Sequence, residues 1–278
     1  MLRINLASRP ASCAVAARRI GPPAFVFAFL LLVWESAARL SLVDPMVLPA
    51  PTSVATNVVD GFAGGVFLRH LEVTLLQAAS GFALACLLGI GLGSLTTLSE
   101  RFSRALQPIL IAVEATPKIA LAPLIIVWFG YGLGSKIVLA GAIAFFPVFV
   151  STAAGLRAAD PGRLDVLRAL GASRAQLFRL VALPGALPHI FAGINVAVVL
   201  ALLGTIVGEF MGAKEGMGTL ILYANGNLDT ARVFAILLVL ATVGLGLHWI
   251  IGRLRRHLLF WEAARSDALA NATATASA

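Results

Sequence analysis

Charged residues are scarce in this sequence, and their scarcity excludes an ordinary soluble domain. Only 12% of the 278 residues are Asp, Glu, Lys or Arg, whereas soluble domains average about 25%. Hydrophobic residues make up 59% of the chain instead. We therefore predict an integral membrane protein.

Cysteines and catalytic signatures are few or missing as well. The two cysteines, Cys13 and Cys86, imply no disulfide or metal framework. The sequence contains no phosphate loop of the GxxxxGK(S/T) type, no HExxH and no nucleophile elbow. Its four histidines are scattered, at positions 70, 189, 248 and 257. These absences argue against a membrane enzyme, and we predict neither a metal nor a cofactor.

Acidic residues are outnumbered by basic ones, which leaves a net charge of +8. Of the 21 basic residues, 18 are arginines, and they gather in short segments between the apolar stretches and in the tails. We interpret them as determinants of membrane topology and predict no nucleic-acid partner.

Six apolar stretches approach the roughly 20 residues that a membrane-spanning helix needs. They cover residues 24–43, 73–98, 106–130, 136–156, 189–211 and 232–252. The first is longer than the apolar core of a signal peptide, so we predict an uncleaved helix there. The third is interrupted by Pro117 and Pro123. The sequence thus predicts an all-α transmembrane fold of six helices.

The distribution of Lys and Arg predicts which ends of these helices face the cytoplasm. With the N-terminus inside, 15 of the 21 basic residues fall on inner segments and 4 on outer segments. Because inner loops carry the excess of Lys and Arg, both termini are predicted to be cytoplasmic. The chain then divides into a cytoplasmic tail (1–22), a first helix with its outer loop (23–72), a core (73–255) and a second cytoplasmic tail (256–278), which we expect to be disordered.

The segment 157–188, here called the central loop, is basic and carries its own helix signals. It reads RAADPGRLDVLRALGASRAQLFRLVALPGALP, with five Arg and two Asp. Asp160 before Pro161 is typical of a helix start, and Gly171 is typical of a helix end. Between them, the leucines at 164, 167 and 170 share one face. The loop is predicted to face water and to begin with one short amphipathic helix.

A second helix signal follows the glycine. Ser173 and Gln176 form a capping-box pattern, and apolar residues follow until Pro184. The central loop is therefore predicted to be a helix, a glycine turn and a helix, with the second helix ending at the proline.

The central loop resembles the EAA loop of ABC-importer permeases. The pattern of that family is E-A-A, three residues, G, nine residues, I, one residue, L-P. Gly171 is followed, after nine residues, by Val181, and then by Leu183 and Pro184, which match in type and spacing. The triplet at 165–167 reads Asp-Val-Leu where the family has Glu-Ala-Ala.

Four further stretches are similar to the nitrate/sulfonate/taurine branch of these permeases. They are LPAPTSV (48–54), HLEVTL (70–75), PKIALAPLIIVWFGYGLGSKI (117–137) and GEFMGAKEGMGTLI (208–221). Together with the central loop, the resemblance covers about residues 45–255.

The resemblance implies a fold, a function and partners. The fold would be the six-helix, type I (MetI-like) permease of a bacterial ABC importer in the inner membrane, with a cytoplasmic coupling-helix loop. Its partners would be the lipid bilayer, a second and identical permease copy, two ATP-binding cassette ATPase subunits and an extracytoplasmic solute-binding protein. The solute would be small, such as nitrate, a sulfonate or taurine. The permease itself would not be an enzyme, because ATP hydrolysis would belong to the ATPase subunits.

The resemblance also assigns the contact with the ATPase to the central loop. We expect Leu167, Leu170 and Phe178 to seat in a groove of that subunit, while Arg168 and Arg174 pair at its rim. The residues expected to form this coupling site are Asp165, Leu167, Arg168, Leu170, Gly171, Ala172, Ser173, Phe178, Leu183 and Pro184.

A few charged residues fall at membrane depth, where charges are costly and often functional. Glu114 and Lys118 stand four residues apart, and either line the translocation path or form a local ion pair. Glu35 and Arg39 share this spacing and favour the local pair. Glu209 closes the fifth apolar stretch and is the third candidate for the substrate path, where it either belongs to an extracellular gate or docking site or is a solvated loop acid.

Small residues recur at four-residue spacing in two of the apolar stretches. Gly89 stands four residues before Gly93, and Gly204 four before Gly208. We interpret them as points of close helix packing and not as substrate contacts.

An ion-coupled secondary transporter is the alternative function. It requires intramembrane acids and ideally an inverted repeat. The sequence shows no clear repeat, and Glu114 is the only plausible coupling acid.

Overall fold

The computed structural model describes the backbone of residues 12–98 and 100–260. Side chains are described from residue 25 onwards, except at 98, 100, 102, 103, 106, 107, 109 and 111. Residues 1–11 of the predicted N-terminal tail and residues 261–278 of the predicted disordered C-terminal tail lie outside the described residues. The helices, in chain order, are α1 (Ser12–Arg39), α2 (Pro51–Ala63), α3 (Val66–Leu98), α4 (Glu100–Ala115), α5 (Ala122–Phe129), α6 (Leu133–Arg157), α7 (Pro161–Ala169), α8 (Arg174–Leu177), α9 (Leu183–Phe210), α10 (Met217–Gly226) and α11 (Thr230–Leu258).

Three long helices, α3, α6 and α9, pack against one another at the centre of the bundle. Glycines let their backbones approach closely. A Cβ on Gly89 of α3 would lie 2.8 Å from the Cβ of Val148 on α6, and a Cβ on Gly204 of α9 would lie 2.8 Å from the Cα of Ala140. These contacts confirm that the glycines serve helix packing.

Within the described part of the chain, four helical segments are long and apolar enough to cross a membrane. They are Val66–Thr97, Leu133–Arg157, Arg174–Phe210 and Thr230–Leu258. They correspond to the predicted second, fourth, fifth and sixth stretches, so the predicted all-α transmembrane fold is confirmed. The segment Arg174–Phe210 starts well before the predicted residue 189.

The predicted third stretch, 106–130, is not one helix. Helix α4 ends at Ala115, and a 3₁₀ turn (Lys118–Leu121) leads into the short helix α5. The break falls at Pro117, because proline lacks the N–H that would continue the helix and disfavours a helical conformation in the residue before it.

Helix α1 carries the first predicted stretch and is tied to α2 by a carboxylate. Many of its apolar side chains from Phe25 to Val33 are exposed, as expected of a helix in contact with lipid. Glu35 pairs with the Nε atom of Arg39 at 2.5 Å, as the spacing predicts. Glu35 also accepts hydrogen bonds from the N–H and the hydroxyl of Thr52, at 3.1 and 2.9 Å. The carboxylate thereby holds the first turn of α2 against α1.

Candidate functional site

The first half of the central loop folds as its local sequence signals predict. The carboxylate of Asp160 accepts a hydrogen bond from the N–H of Gly162 at 3.0 Å, which caps the start of α7. Gly171 has a φ of +79°, in the left-handed region that glycine adopts without strain. Its N–H donates to the carbonyl of Arg168 at 2.9 Å, and the N–H of Ala172 donates to that of Leu167 at 3.0 Å. This pair of bonds is a Schellman motif, which closes the helix end and sets a sharp turn.

The second half of the loop begins with the predicted capping box. The N–H of Ser173 donates to the Oε1 of Gln176 at 2.7 Å, and the N–H of Gln176 donates to the Oγ of Ser173 at 3.4 Å. Helix α8 follows directly, so both short helices of the loop start from side-chain caps.

The predicted end of the second helix at Pro184 is wrong. Helix α8 continues through a π-helical segment, Phe178–Ala182, into α9, so that one helical path runs from Arg174 to Phe210. In a regular α-helix the Pro184 ring would clash with the carbonyl of Leu180, four residues earlier. The wider π turn relieves that clash. The loop is thus directly joined to a membrane-crossing helix.

The three apolar side chains predicted to dock on the ATPase do not share one exposed face. Leu170 is 77% exposed, whereas Leu167 is half-buried. Phe178 is also half-buried and packs inward, against the cluster of Leu156, Ala186 and Ile190 in the bundle. Among the described residues of α7, it is Val166, at 62% exposure, that accompanies Leu170 at the surface.

The remaining residues of the predicted coupling site lie on α7, at the turn after it or at the start of α9. Leu183 packs against the same buried cluster as Phe178, and Pro184 occupies the first turn of α9. Arg168 pairs with Asp165 at 2.8 Å on the exposed surface of α7. An open cavity of about 440 Å³ separates α7 from the helical path of α9, lined by Asp160, Gly162, Arg163, Val166, Leu167 and Val181.

Glu209 lies at the other end of α9 and is fully buried, so its interpretation as a solvated loop acid is wrong. Its Oε1 accepts a hydrogen bond from the hydroxyl of Thr74 on α3 at 2.7 Å. Its Oε2 accepts one from the N–H of Gly218 at 2.7 Å. Buried carboxylates need such partners, since burying an unpaired charge is costly.

Two further side chains complete the contact with the start of α10. The Nδ1 of His70 accepts the N–H of Gly216 at 2.9 Å, and the hydroxyl of Thr74 accepts the N–H of Met217 at 2.8 Å. Together with Glu209, they satisfy three successive N–H groups at a helix start, which the helix itself leaves unpaired. We call His70, Thr74 and Glu209 the outer bracket.

Of the outer bracket, the sequence analysis singled out Glu209, whereas His70 and Thr74 appeared only within the motif HLEVTL. The four-residue spacing of His70 and Thr74 is a usable signal, because it puts both side chains on one face of α3. Lys136, at the start of the fourth apolar stretch, is buried at the first turn of α6 and donates to the carbonyl of Tyr131 at 2.6 Å.

The predicted pair of Glu114 and Lys118 does not form an ion pair in the described structure. The Nζ of Lys118 lies 3.5 Å from the backbone carbonyl oxygen of Glu114 and 5.2 Å from the ring centre of Phe146 on α6. The helix break at Pro117 lies between the two residues and turns the ammonium towards α6. Neither residue takes part in the hydrogen bonds of the outer bracket, so the three predicted path residues do not form one site.

Similarity to known proteins identifies the family of this chain. The profile of the family described as binding-protein-dependent transport system inner membrane component matches residues 85–259. A formylaminopyrimidine transport permease protein of Halalkalibacterium halodurans is 35% identical over 240 residues, covering 86% of this chain and 95% of that protein. The taurine transport system permease protein of Escherichia coli is 33% identical over 240 residues, covering 84% and 87%.

A solved structure shares the arrangement of helices. A chain of the MetNI methionine ABC transporter, in an inward-facing conformation, is similar with a TM-score of 0.61 and 21% identity. The likeness covers 69% of this chain and 95% of that one. At this identity it establishes the fold alone.

Proposed function

Since this chain belongs to the family of binding-protein-dependent transport system inner membrane components, the permease subunits of ABC importers, we propose that its central loop couples solute translocation to ATP hydrolysis in separate subunits. The chain itself is a membrane-embedded permease and not an enzyme. Its partners are of two kinds, ATPase subunits and a solute-binding protein, as the family implies.

The observation that supports the proposal is the structure of the tip of the central loop, which is the exposed surface formed by Val166 and Leu170. Leu170 and Val166 present exposed apolar surface on a short helix that is capped at both ends. The Schellman turn at Gly171 holds this surface in a fixed direction. A rigid, protruding apolar tip suits a groove on a partner subunit, and Leu170 is its anchor.

The connection of the central loop to the helix bundle indicates how a movement of the ATPase would reach the membrane-crossing helices. Movement of the tip passes through the Gly171 turn into α8, and from there into α9 without a flexible joint. Phe178 fastens the same path to the bundle through Leu156 and Ile190. Displacement of the tip therefore tilts α9 against α3 and α6, which is the motion that alternating access requires.

We further propose that the permease works as a pair of identical copies with both termini in the cytoplasm. The charge asymmetry of the sequence supports this orientation. So does the last turn of α11, which carries Arg255, Arg256 and His257. Earlier in the same helix, Arg253 lies over the ring of the exposed Trp249, a residue type that favours the membrane interface. The exposed apolar side chains of α5 and the turn after it, including Trp128 and Tyr131, suit burial against lipid and the second copy.

The proposed solute is a small polar molecule handed over by the solute-binding protein, such as a sulfonate, taurine or nitrate. Relatives of similar identity are named for taurine and for formylaminopyrimidine, which differ in charge and ring content. That related permeases are named for such different solutes supports separate roles for the binding protein and the permease. The binding protein selects the solute, and the permease supplies the path and the coupling.

Uptake by proteoliposomes tests the proposal. Vesicles containing the permease, its ATPase and its solute-binding protein should accumulate the solute only when ATP is supplied to the ATPase side. Vesicles without the ATPase should show no accumulation. Accumulation that needs no ATPase and follows an ion gradient would instead identify an ion-coupled secondary transporter.

A further inference from the structure

Four arginines from three helices converge on one cavity at the loop end of the bundle. The cavity has a volume of about 850 Å³ and lies between the ends of α3 and α6, the start of α4 and the central loop. Arg101 and Arg104 come from α4, Arg168 from α7 and Arg174 from α8. We call this space the arginine cavity.

The positive charge of the arginine cavity is poorly balanced within the described residues. No described carboxylate lines it. Of the four arginines, only Arg168 has a described carboxylate partner, Asp165 at 2.8 Å, and that pair is exposed. Several guanidinium groups facing one space repel one another unless an anion joins them.

Membrane topology alone does not explain this convergence. The excess of basic residues on inner loops depends on their number and not on where their side chains meet. The same loop also carries Arg163, which pairs with Asp160 at 3.3 Å, and Arg179, and neither lines the arginine cavity. The four arginines therefore line the cavity because of where they lie in the fold, and not merely because the loop is rich in arginine.

The rest of the lining indicates the kind of molecule that fits. Leu156, Leu164, Leu177 and Phe178 contribute apolar surface beside the guanidinium groups. Planar guanidinium groups bind phosphate oxygens through paired, charge-assisted hydrogen bonds. The combination suits a phosphate group attached to an organic or acyl body.

We propose that the arginine cavity binds a phosphate-bearing anion, which is either the headgroup of an acidic phospholipid or a soluble phosphate compound. The anion bridges α4 to the central loop and thereby braces the loop against the bundle. The site shares Arg168, Arg174 and Phe178 with the central loop, but its test uses the permease without the ATPase, so it can fail or succeed independently of the coupling role proposed above.

Binding to the full-length permease in nanodiscs tests the site. In one arm, nanodiscs contain phosphatidylglycerol mixed with phosphatidylcholine, and native mass spectrometry counts the phosphatidylglycerol retained. In the other arm, nanodiscs contain phosphatidylcholine only, and calorimetry measures the binding of pyrophosphate. Retention in the first arm alone identifies a lipid site, and saturable binding in the second identifies a soluble ligand; either result supports the proposal.

The variant is Arg101→Gln with Arg104→Gln, and the control is Arg179→Gln with Arg256→Gln, which removes the same charge outside the cavity. The first pair should weaken binding by about tenfold or more, and the control by less than about twofold. Arg174→Gln, tested separately, should also weaken binding and serves if the double variant does not purify. No binding in either arm, or equal loss in variant and control, overturns the proposal.

Discussion

Thr74 and Glu209 stand 135 residues apart in the sequence and meet in a buried hydrogen bond of 2.7 Å. The bond joins α3 to α9, and each residue also accepts an N–H from the start of α10. The outer bracket therefore links three helices at the end of the bundle that lies away from the central loop.

Loss of the Thr74 hydroxyl should destabilise the permease. Thr74→Val keeps the shape of the side chain but leaves the N–H of Met217 and one carboxylate oxygen of Glu209 without a partner. The expected cost is about 1–3 kcal/mol of unfolding free energy, visible as a lower thermal midpoint of the purified protein. Thr242→Val is the control, because that exposed hydroxyl bonds only to a carbonyl of its own helix. An equal loss in both variants would refute the role of the bracket.

A methyl group at Gly216 should disrupt the outer bracket directly. An added Cβ would lie 2.2 Å from the carboxylate of Glu209, and the φ of +133° is a conformation that other residues rarely adopt. Gly216→Ala is expected to cost about 3 kcal/mol or more through strain and overpacking. Gly226→Ala, where a Cβ meets open space at the end of α10, should be nearly neutral. The yield of folded protein and its thermal midpoint measure both variants, and wild-type behaviour of Gly216→Ala would contradict this geometry.

The turn at Gly171 should matter for the ATPase and not for membrane insertion. Valine in the left-handed region costs about 1–2 kcal/mol, so Gly171→Val should reduce copurification of the ATPase about tenfold. Asparagine tolerates this conformation, so Gly171→Asn should copurify nearly as well as the wild type. Normal copurification with Gly171→Val would remove the coupling role of the turn.

Substitution of Leu170 should mainly affect binding of the ATPase, whereas substitution of Phe178 should mainly affect the stability of the permease. Leu170 is exposed, so Leu170→Ala should change the unfolding free energy by less than about 0.5 kcal/mol while weakening ATPase binding. Phe178 packs on the bundle, so Phe178→Ala should lower the unfolding free energy by about 1–3 kcal/mol, less than for a fully buried aromatic side chain. Thermal midpoints and copurification, measured on the same preparations, test the pair. A stability loss in Leu170→Ala equal to that in Phe178→Ala would contradict the inward packing of Phe178.

Local features of this protein could be predicted from the sequence because their physical causes lie within a few residues. The cap at Asp160, the turn at Gly171 and the capping box at Ser173 each depend on hydrogen bonds between near neighbours. The length and hydropathy of the apolar stretches likewise predict the four described segments that can cross a membrane. The spacing of Gly171, Val181 and Pro184, which resembles the permease family, is also a local pattern.

Features that depend on how the helices pack were decided only by the tertiary structure. The sequence left Glu209 either as part of a gate or docking site or as a solvated loop acid, and only the approach of α3 and α10 shows that it is buried and supplies its partners. Phe178 lies on the apolar face of its helix, but only the continuation of that helix into α9 turns it inward. In this protein the sequence by itself determined the long apolar helices and the caps of the central loop, since those energies are local, but not the continuation of α8 past Pro184 into α9. The tertiary structure decided which polar groups meet, since Thr74 and Glu209 are more than a hundred residues apart. These contacts form because glycines on α3 and α9 let both helices pack closely against α6.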